Sequence, residues 1–216
     1  RYGLMLKNGE GIPVDKKEAA RYIKMAADKG NTKAMRNYGY MLENGDNVNK
    51  NLEEAIIYYK MAADKGSADD MYNYGLILDR IKEIPGDKKR EAVIYYKMAA
   101  DRGNADAMYR YGLMLEDGEG IGTNKEEAAR YYEMAAKKGQ VTALCNYGSM
   151  LYDGEGVKMN KEEAAKYYKM AADKGSVRAM YSYGYMLENG EGVPANKEEA
   201  ARYYEMVANN KDINII

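Results

Sequence analysis

A sixteen-residue stretch returns along this chain at almost fixed spacing: Asn124-Lys125-Glu126-Glu127-Ala128-Ala129-Arg130-Tyr131-Tyr132-Glu133-Met134-Ala135-Ala136-Lys137-Lys138-Gly139. Close copies begin at Asn160 and Asn196, and looser ones run from Asp15 to Gly30 and from Asn51 to Gly66. The closing glycines are Gly30, Gly66, Gly103, Gly139 and Gly175, at intervals of 36, 37, 36 and 36 residues. A period of that size belongs to a stack of small units, each covering its neighbour's apolar face.

The stretch reads as a helix, termed helix B. Asp15, Asn51, Asn124, Asn160 and Asn196 stand where an N-cap belongs, and Glu18, Glu54, Glu127, Glu163 and Glu199 follow three residues later. That spacing resembles a capping box and suits the positive helix start. Good helix formers fill the interior, and the closing glycine can take the left-handed conformation past the last turn. The paired tyrosines (Tyr131-Tyr132 and equivalents) and the alanines form one apolar stripe. Between copies lies helix A, which starts at Asn31, Ser67, Asn104, Gln140 and Ser176. It carries Ala-Met, Tyr-Gly and Met-Leu at positions 4-5, 8-9 and 11-12 in most copies. A mid-helix glycine costs roughly 1 kcal/mol against alanine. Gly39, Gly112, Gly148 and Gly184 are therefore expected where helices approach most closely. Gly-Glu-Gly loops follow, and the Ile or Val after them is expected to plug the gap between the two helices.

The units are a partial one, 1–30, then 31–66, 67–103, 104–139, 140–175 and 176–211, with a tail 212–216, all in a single array of eleven or so helices and no strand. One unit departs from the pattern: Asp70 replaces the small alanine at position 4, and both loop glycines are missing. Its helix A is expected to run to near Lys82 and end before Pro85. Arg1 falls inside an element, which points to a longer parent protein. An uncovered first unit, with Leu4 and Met5 poorly shielded, predicts end-to-end packing between chains. Ile213, Ile215 and Ile216 either cover the other end or hang free.

Composition excludes several classes of function. Thirty-three basic and 34 acidic residues give a net charge of −1, no reason to expect a nucleic-acid ligand. Histidine is absent, Cys145 is alone, and no serine stands beside a base, so catalysis lacks a nucleophile–base pair and a metal set. No cofactor and no metal are expected, and an enzyme is the remote alternative. Cys145 rules out an internal disulfide framework and suits a reducing compartment such as the cytoplasm. No apolar run approaches membrane-spanning length. Most of the sixteen methionines and the helix B tyrosines recur at helical spacing, which makes them core rather than a binding surface or cage.

The combination Ala…Tyr-Gly…Met-Leu…Gly-x-Gly-Ile/Val…Asn-x-Glu-Glu-Ala…Tyr-Tyr-x-Met-Ala-Ala…Gly resembles the Sel-one-like repeat (SLR) family, a branch of the tetratricopeptide-like helical repeats. The match covers residues 1 to about 211. Tyr-Gly stands where that family has Leu-Gly, and Tyr-Tyr where it has Trp-Tyr. The resemblance implies an all-α fold, a right-handed α-solenoid of antiparallel helix pairs. It also implies an adaptor that assembles protein complexes. The cysteine-paired, secreted branch is disfavoured, because those cysteines are missing.

The helical wheel then suggests a binding face. Core positions of helix A centre near about 80°, and positions 3, 6, 10, 13 and 14 fall opposite, between about 220° and 320°. Positions 6 and 10 supply Arg36 with Tyr40, Tyr72 with Leu76, Tyr109 with Leu113, Cys145 with Ser149, and Tyr181 with Tyr185. Positions 13 and 14 add Glu43, Asp79, Glu116, Asp117, Asp153 and Glu188. Acids are mildly unfavourable in a helix's last turn, so helix stability does not explain them. In tetratricopeptide-like folds this face lines the concave groove. The expectation is a groove with aromatic anchors and an acidic rim, fitting a protein or peptide that carries Lys or Arg. Two alternatives stay open. These tyrosines could pack only against neighbouring helices, or the chain could self-assemble through its open ends.

Overall fold

The structure, a computed structural model, describes residues 1–80 and 88–210. The expected end of a helix near Lys82 and Pro85, and the roles of Ile213, Ile215 and Ile216, lie outside the described residues. The described residues form twelve helices, in keeping with the eleven or so expected, and no strand. Two compact units divide the chain, Arg1–Asn104 and Ala105–Ile216. The first holds α1 (Tyr2–Asn8), α2 (Lys16–Asp28), α3 (Thr32–Asn44), α4 (Leu52–Ala63), α5 (Ala68–Arg80) and α6 (Lys88–Asp101). The second holds α7 (Ala105–Asp117), α8 (Lys125–Lys137), α9 (Val141–Asp153), α10 (Lys161–Asp173), α11 (Val177–Asn189) and α12 (Lys197–Ala208). Odd-numbered helices are helix A and even-numbered ones helix B. In each unit three A–B hairpins pack side by side, each helix B against the next helix A.

Local chemistry places these ends. Asp15, Asn51, Asn124, Asn160 and Asn196 each accept the backbone N–H of the glutamate three residues on, at 2.9–3.1 Å. The reciprocal half of the capping box is absent. The cap residue's own N–H is already donated to a leucine carbonyl of its hairpin partner, as in Asn124 to Leu115 and Asn160 to Leu151, both 2.8 Å. The glutamate side chain accepts instead from the cap's amide in Asn124, Asn160 and Asn196. The same N–H therefore starts helix B and ties it to helix A. Gly30, Gly66, Gly103, Gly139 and Gly175 all have positive φ, between 85° and 93°, and reverse the chain toward the next helix A.

The hairpin core is tyrosine on glycine. A Cβ added to Gly75 or Gly112 would stand 2.7 Å from the ring of Tyr96 or Tyr132. At Gly39, Gly148 and Gly184 the ring of Tyr59, Tyr168 or Tyr204 stands at 3.3, 3.2 and 3.0 Å. The glycine is thus the slot that admits the second tyrosine of helix B. The first tyrosine meets the tyrosine at position 8 edge-on, with centroids 4.6–5.1 Å apart in Tyr38–Tyr58, Tyr74–Tyr95, Tyr111–Tyr131, Tyr147–Tyr167 and Tyr183–Tyr203. This is the edge-to-face arrangement favoured by ring quadrupoles.

Neighbouring hairpins are held by a second set of contacts. The loop glycines do more than turn the chain: a Cβ on Gly156 or Gly192 would lie 2.2 Å from the carbonyl oxygen of Lys125 or Lys161. The acids beside them, Glu155 and Glu191, accept from the Nζ of the same two lysines at 2.8 and 2.9 Å. The loop of one hairpin therefore clasps the start of the preceding helix B. In the first unit Tyr58 Oη donates to Asp28 at 2.6 Å and accepts from Lys24 at 2.9 Å, and Tyr95 repeats this with Asp64 and Lys60. Most methionines of helix A and those of helix B differ in burial. The former, such as Met41, Met114 and Met186, are buried as expected. On helix B, Met25, Met61, Met134, Met170 and Met206 are 36–49% exposed and Met98 is half-buried, a correction to their expected place in the core. Two residues beyond the second tyrosine, they sit about 130° from the centre of helix B's apolar stripe.

Gly156→Ala should lower stability by about 1–3 kcal/mol, because the methyl group meets backbone that cannot move aside. Gly11, which shares the positive φ but has nothing within 4 Å of an added Cβ, is the control, and Gly11→Ala should cost only the roughly 1 kcal/mol of left-handed strain. Chemical denaturation of both variants measures this. Equal stabilities would contradict the clasp.

Candidate functional site

The outward positions of helix A are not all free. In the first unit Arg36 faces Asp70, donating from Nε at 2.6 Å. Asp70 is 1% exposed, the one buried charged residue among those described. The sequence reading set Arg36 beside Tyr40 in a groove; the structure gives it to the acid that replaced alanine one helix A further on. Tyr40 stands 55% exposed. Tyr72 is half-buried and leans on Tyr96, centroids 6.0 Å apart, with Leu76 half-buried beside it. Glu43 accepts from Tyr59 Oη at 2.9 Å and from Arg80 at 3.0 Å.

The second unit repeats the scheme with variations. Tyr109 is half-buried against Tyr132, centroids 6.0 Å apart, and Leu113 is half-buried too. Glu116 accepts from Tyr132 Oη at 2.5 Å, and Glu188 accepts from Tyr204 Oη at 2.9 Å. The glutamates at position 13 thus have a structural reason that the sequence reading lacked: they satisfy the hydroxyl of the ring that fills the glycine slot. Where position 13 is Tyr152, Ser149 takes over and bonds Tyr168 Oη at 2.9 Å. Cys145 is buried, its Sγ 3.2 Å from Ser176 Oγ, and burial raises its thiol pKa. Tyr181 and Tyr185 are exposed, 58% and 42%.

Two hollows adjoin here. One, about 360 Å³, is lined by Tyr152, Tyr168, Tyr181, Ser182, Tyr185 and Met186. The other, about 340 Å³, is lined by Glu116, Asp117, Asp153, Glu155, Asn146, Ser149, Met150 and Arg178. The Ser149–Tyr168 hydrogen bond joins them. Sequence reasoning found Tyr181, Tyr185 and the acids but missed Tyr152, Tyr168 and Arg178. Tyr152 was legible as the one tyrosine at position 13; Tyr168 was absorbed into the core stripe. Among the described residues, no group of three or more Cys, Asp or Glu side chains is placed to hold a metal ion. No described helix is long and apolar enough to cross a membrane.

Six consecutive segments, 1–31, 32–67, 68–104, 105–140, 141–176 and 177–212, match the Sel1 repeat family. Among solved structures, the chain is similar to a protective antigen present in uropathogenic Escherichia coli strains, which displays an SLR fold. The TM-score is 0.90 and the identity 28%, over 96% of this chain but only 44% of that one. A Sel1 repeat protein from Oxalobacter formigenes superposes with a TM-score of 0.81 and 32% identity, over 96% of this chain and 85% of that one. No curated protein matches.

Arg36→Met, which leaves Asp70 buried without its cation, should cost about 1–3 kcal/mol or more. Adding Asp70→Ala should restore most of that loss. A single variant as stable as the parent would show the pair to be idle. Alkali gives a second check. Burial, aided by Glu133 near Tyr147 and by the Glu188 hydrogen bond to Tyr204, pushes these phenols up to about 12. An unfolded tyrosine titrates near 10. The folded state therefore holds these protons more tightly, and its stability is full below about pH 10 and declines as pH rises toward 12. Thermal melting followed by circular dichroism from pH 8 to 12 should be flat and then fall; a flat curve to pH 12 would oppose this.

Proposed function

Because the chain belongs to the Sel1 repeat family, we propose that it is a protein-interaction scaffold that binds a peptide or protein along the outward face of its A helices. Repeat scaffolds of this kind typically mediate protein interactions. The reading as an adaptor, rather than as an enzyme, follows the same line. The observation that carries it is exposure beyond what packing requires. Tyr40, Tyr181 and Tyr185 are among the exposed large hydrophobic residues, although each occupies a helix whose other face is buried. Exposed tyrosines supply large contact area at low conformational cost, and are enriched where binding energy concentrates. Tyr72 and Tyr109 contribute an edge of their half-buried rings. Asp117 and Asp153 lie at the ends of α7 and α9, and with Glu43, Glu116 and Glu188 they favour a partner carrying Lys or Arg.

Peptides selected from a displayed random library on the immobilised protein test this. Tyr40→Ala or Tyr181→Ala should weaken the selected peptides about tenfold, the 1–2 kcal/mol of a modest hot spot, with the melting temperature unchanged. Tyr72→Ala and Tyr109→Ala should lower both affinity and melting temperature, since those rings also support Tyr96 and Tyr132. Selected peptides indifferent to all four substitutions would overturn the reading.

A further inference from the structure

We propose that the tyrosine-lined hollow between α9, α10 and α11 is a composite recognition site. It takes an apolar or aromatic peptide side chain among the tyrosines and a neighbouring Lys or Arg over Asp117 and Asp153. This deepens the scaffold reading and rests on it.

The hollow is built rather than incidental. Its volume, about 360 Å³, falls at the small end of ligand sites, room for a single large side chain. Three of its rings are held from behind. Tyr168 is fixed by Ser149 Oγ at 2.9 Å. Tyr152 donates to Glu191 and carries Lys161 Nζ over its ring, 4.5 Å from the centroid. Tyr181 leans on Tyr204, centroids 5.7 Å apart. Walls fixed before binding spare a guest the entropy of ordering them. The hollow also depends on two substitutions peculiar to one hairpin. Position 13 is Lys7, Glu43, Asp79, Glu116 and Glu188 elsewhere, and Tyr only at Tyr152. Position 10 is Leu or Tyr elsewhere, and Ser only at Ser149.

Charge selects the neighbouring residue of the guest. In the adjoining hollow Glu116 is engaged by Tyr132 and Glu155 by Lys125. Asp117 and Asp153 are exposed, and neither makes an ion pair or a hydrogen bond among the described residues. Arg178 also lines this hollow and donates to Asn146 Oδ1 and Ser149 Oγ, both at 3.1 Å; these neutral acceptors leave its charge in place, and the four acids of the lining outweigh it. Both free carboxylates also end a helix, where the backbone dipole adds negative potential. A guest cation gains from both sources, while a phosphate or an acidic side chain meets repulsion from each. A peptide that pairs an aromatic with a basic residue therefore complements the two hollows together.

The chain contains no tryptophan, so a guest tryptophan can be read directly by its fluorescence. The probes are acetylated, amidated alanine-based peptides with one Trp and one Arg separated by zero to three residues in either order, and the matching Trp–Glu set. At least one Trp–Arg peptide should bind about tenfold or more tightly than its Trp–Glu counterpart. Combining Asp117→Asn with Asp153→Asn should erase that preference, and Tyr181→Ala should weaken binding about tenfold. Ile57→Ala, at an exposed helix B position of the other unit, should leave it unchanged. Equal binding of the Arg and Glu peptides, or no binding of either set, overturns the site. A loss at Tyr72→Ala with none at Tyr181→Ala also overturns it, yet leaves the scaffold reading standing. That broader reading fails instead when library-selected peptides ignore every outward tyrosine.

Discussion

A tyrosine ring set against a helix that has no side chain at the crossing is the contact on which five of the six hairpins depend. The glycine in mid-helix costs about 1 kcal/mol of helix propensity. Burying a tyrosine removes about 150–250 Å² from water. At about 25 cal/mol per Å² that is worth roughly 4–6 kcal/mol, an upper bound because the unfolded chain already hides some of that surface. Burial wins, provided that the ring reaches the slot and its hydroxyl finds a partner. Both conditions are visible in Tyr132, which lies against Gly112 and donates to Glu116. The first hairpin shows the same slot with a smaller occupant: Gly3 faces Ile23 at 3.2 Å, and no hydroxyl needs an acceptor there.

That second condition links stability to the recognition surface. The hydroxyl partners of the slot tyrosines sit on the outward side of helix A, at positions 13 or 10. The tyrosines at position 6 lean on the same slot rings. One face therefore serves two purposes. Residues that close the hairpin from outside form the floor on which a partner rests, and the next positions along, Tyr40, Tyr185, Asp117 and Asp153, stand above that floor. When one hairpin shifts its hydroxyl partner from position 13 to Ser149, position 13 is released for Tyr152, and a hollow opens. A change in how a hydroxyl is satisfied thus becomes a change in surface shape.

The period, the caps, the closing glycines and the glycine slots were legible in the sequence because each is a local rule repeated until it cannot be chance. What escaped was relational. That Glu43 and Glu116 accept from tyrosines sixteen residues away cannot be read from a wheel, which projects one helix and ignores its neighbour. Arg36 was read only with Tyr40, one turn along, because Asp70 lies on a different helix; the two substitutions make sense only as a pair. The helix B methionines were assigned to the core by recurrence alone, whereas recurrence marks a constant environment, and that of Met170 is a half-exposed one. Gly156 and Gly192 read as turn punctuation because the backbone they touch belongs to the preceding repeat.

The slot itself is tested most directly by a double-mutant cycle on Gly112 and Tyr132, read as unfolding free energies. Gly112→Ala in the parent should destabilise, because the methyl group collides with the ring. In a Tyr132→Leu background the same substitution should be neutral or stabilising, as alanine's better helix propensity takes over, so the two effects are coupled with opposite sign. Effects of Gly112→Ala that are equal in both backgrounds would mean that the glycine does not exist to admit the tyrosine, and the account of the hairpin would be wrong.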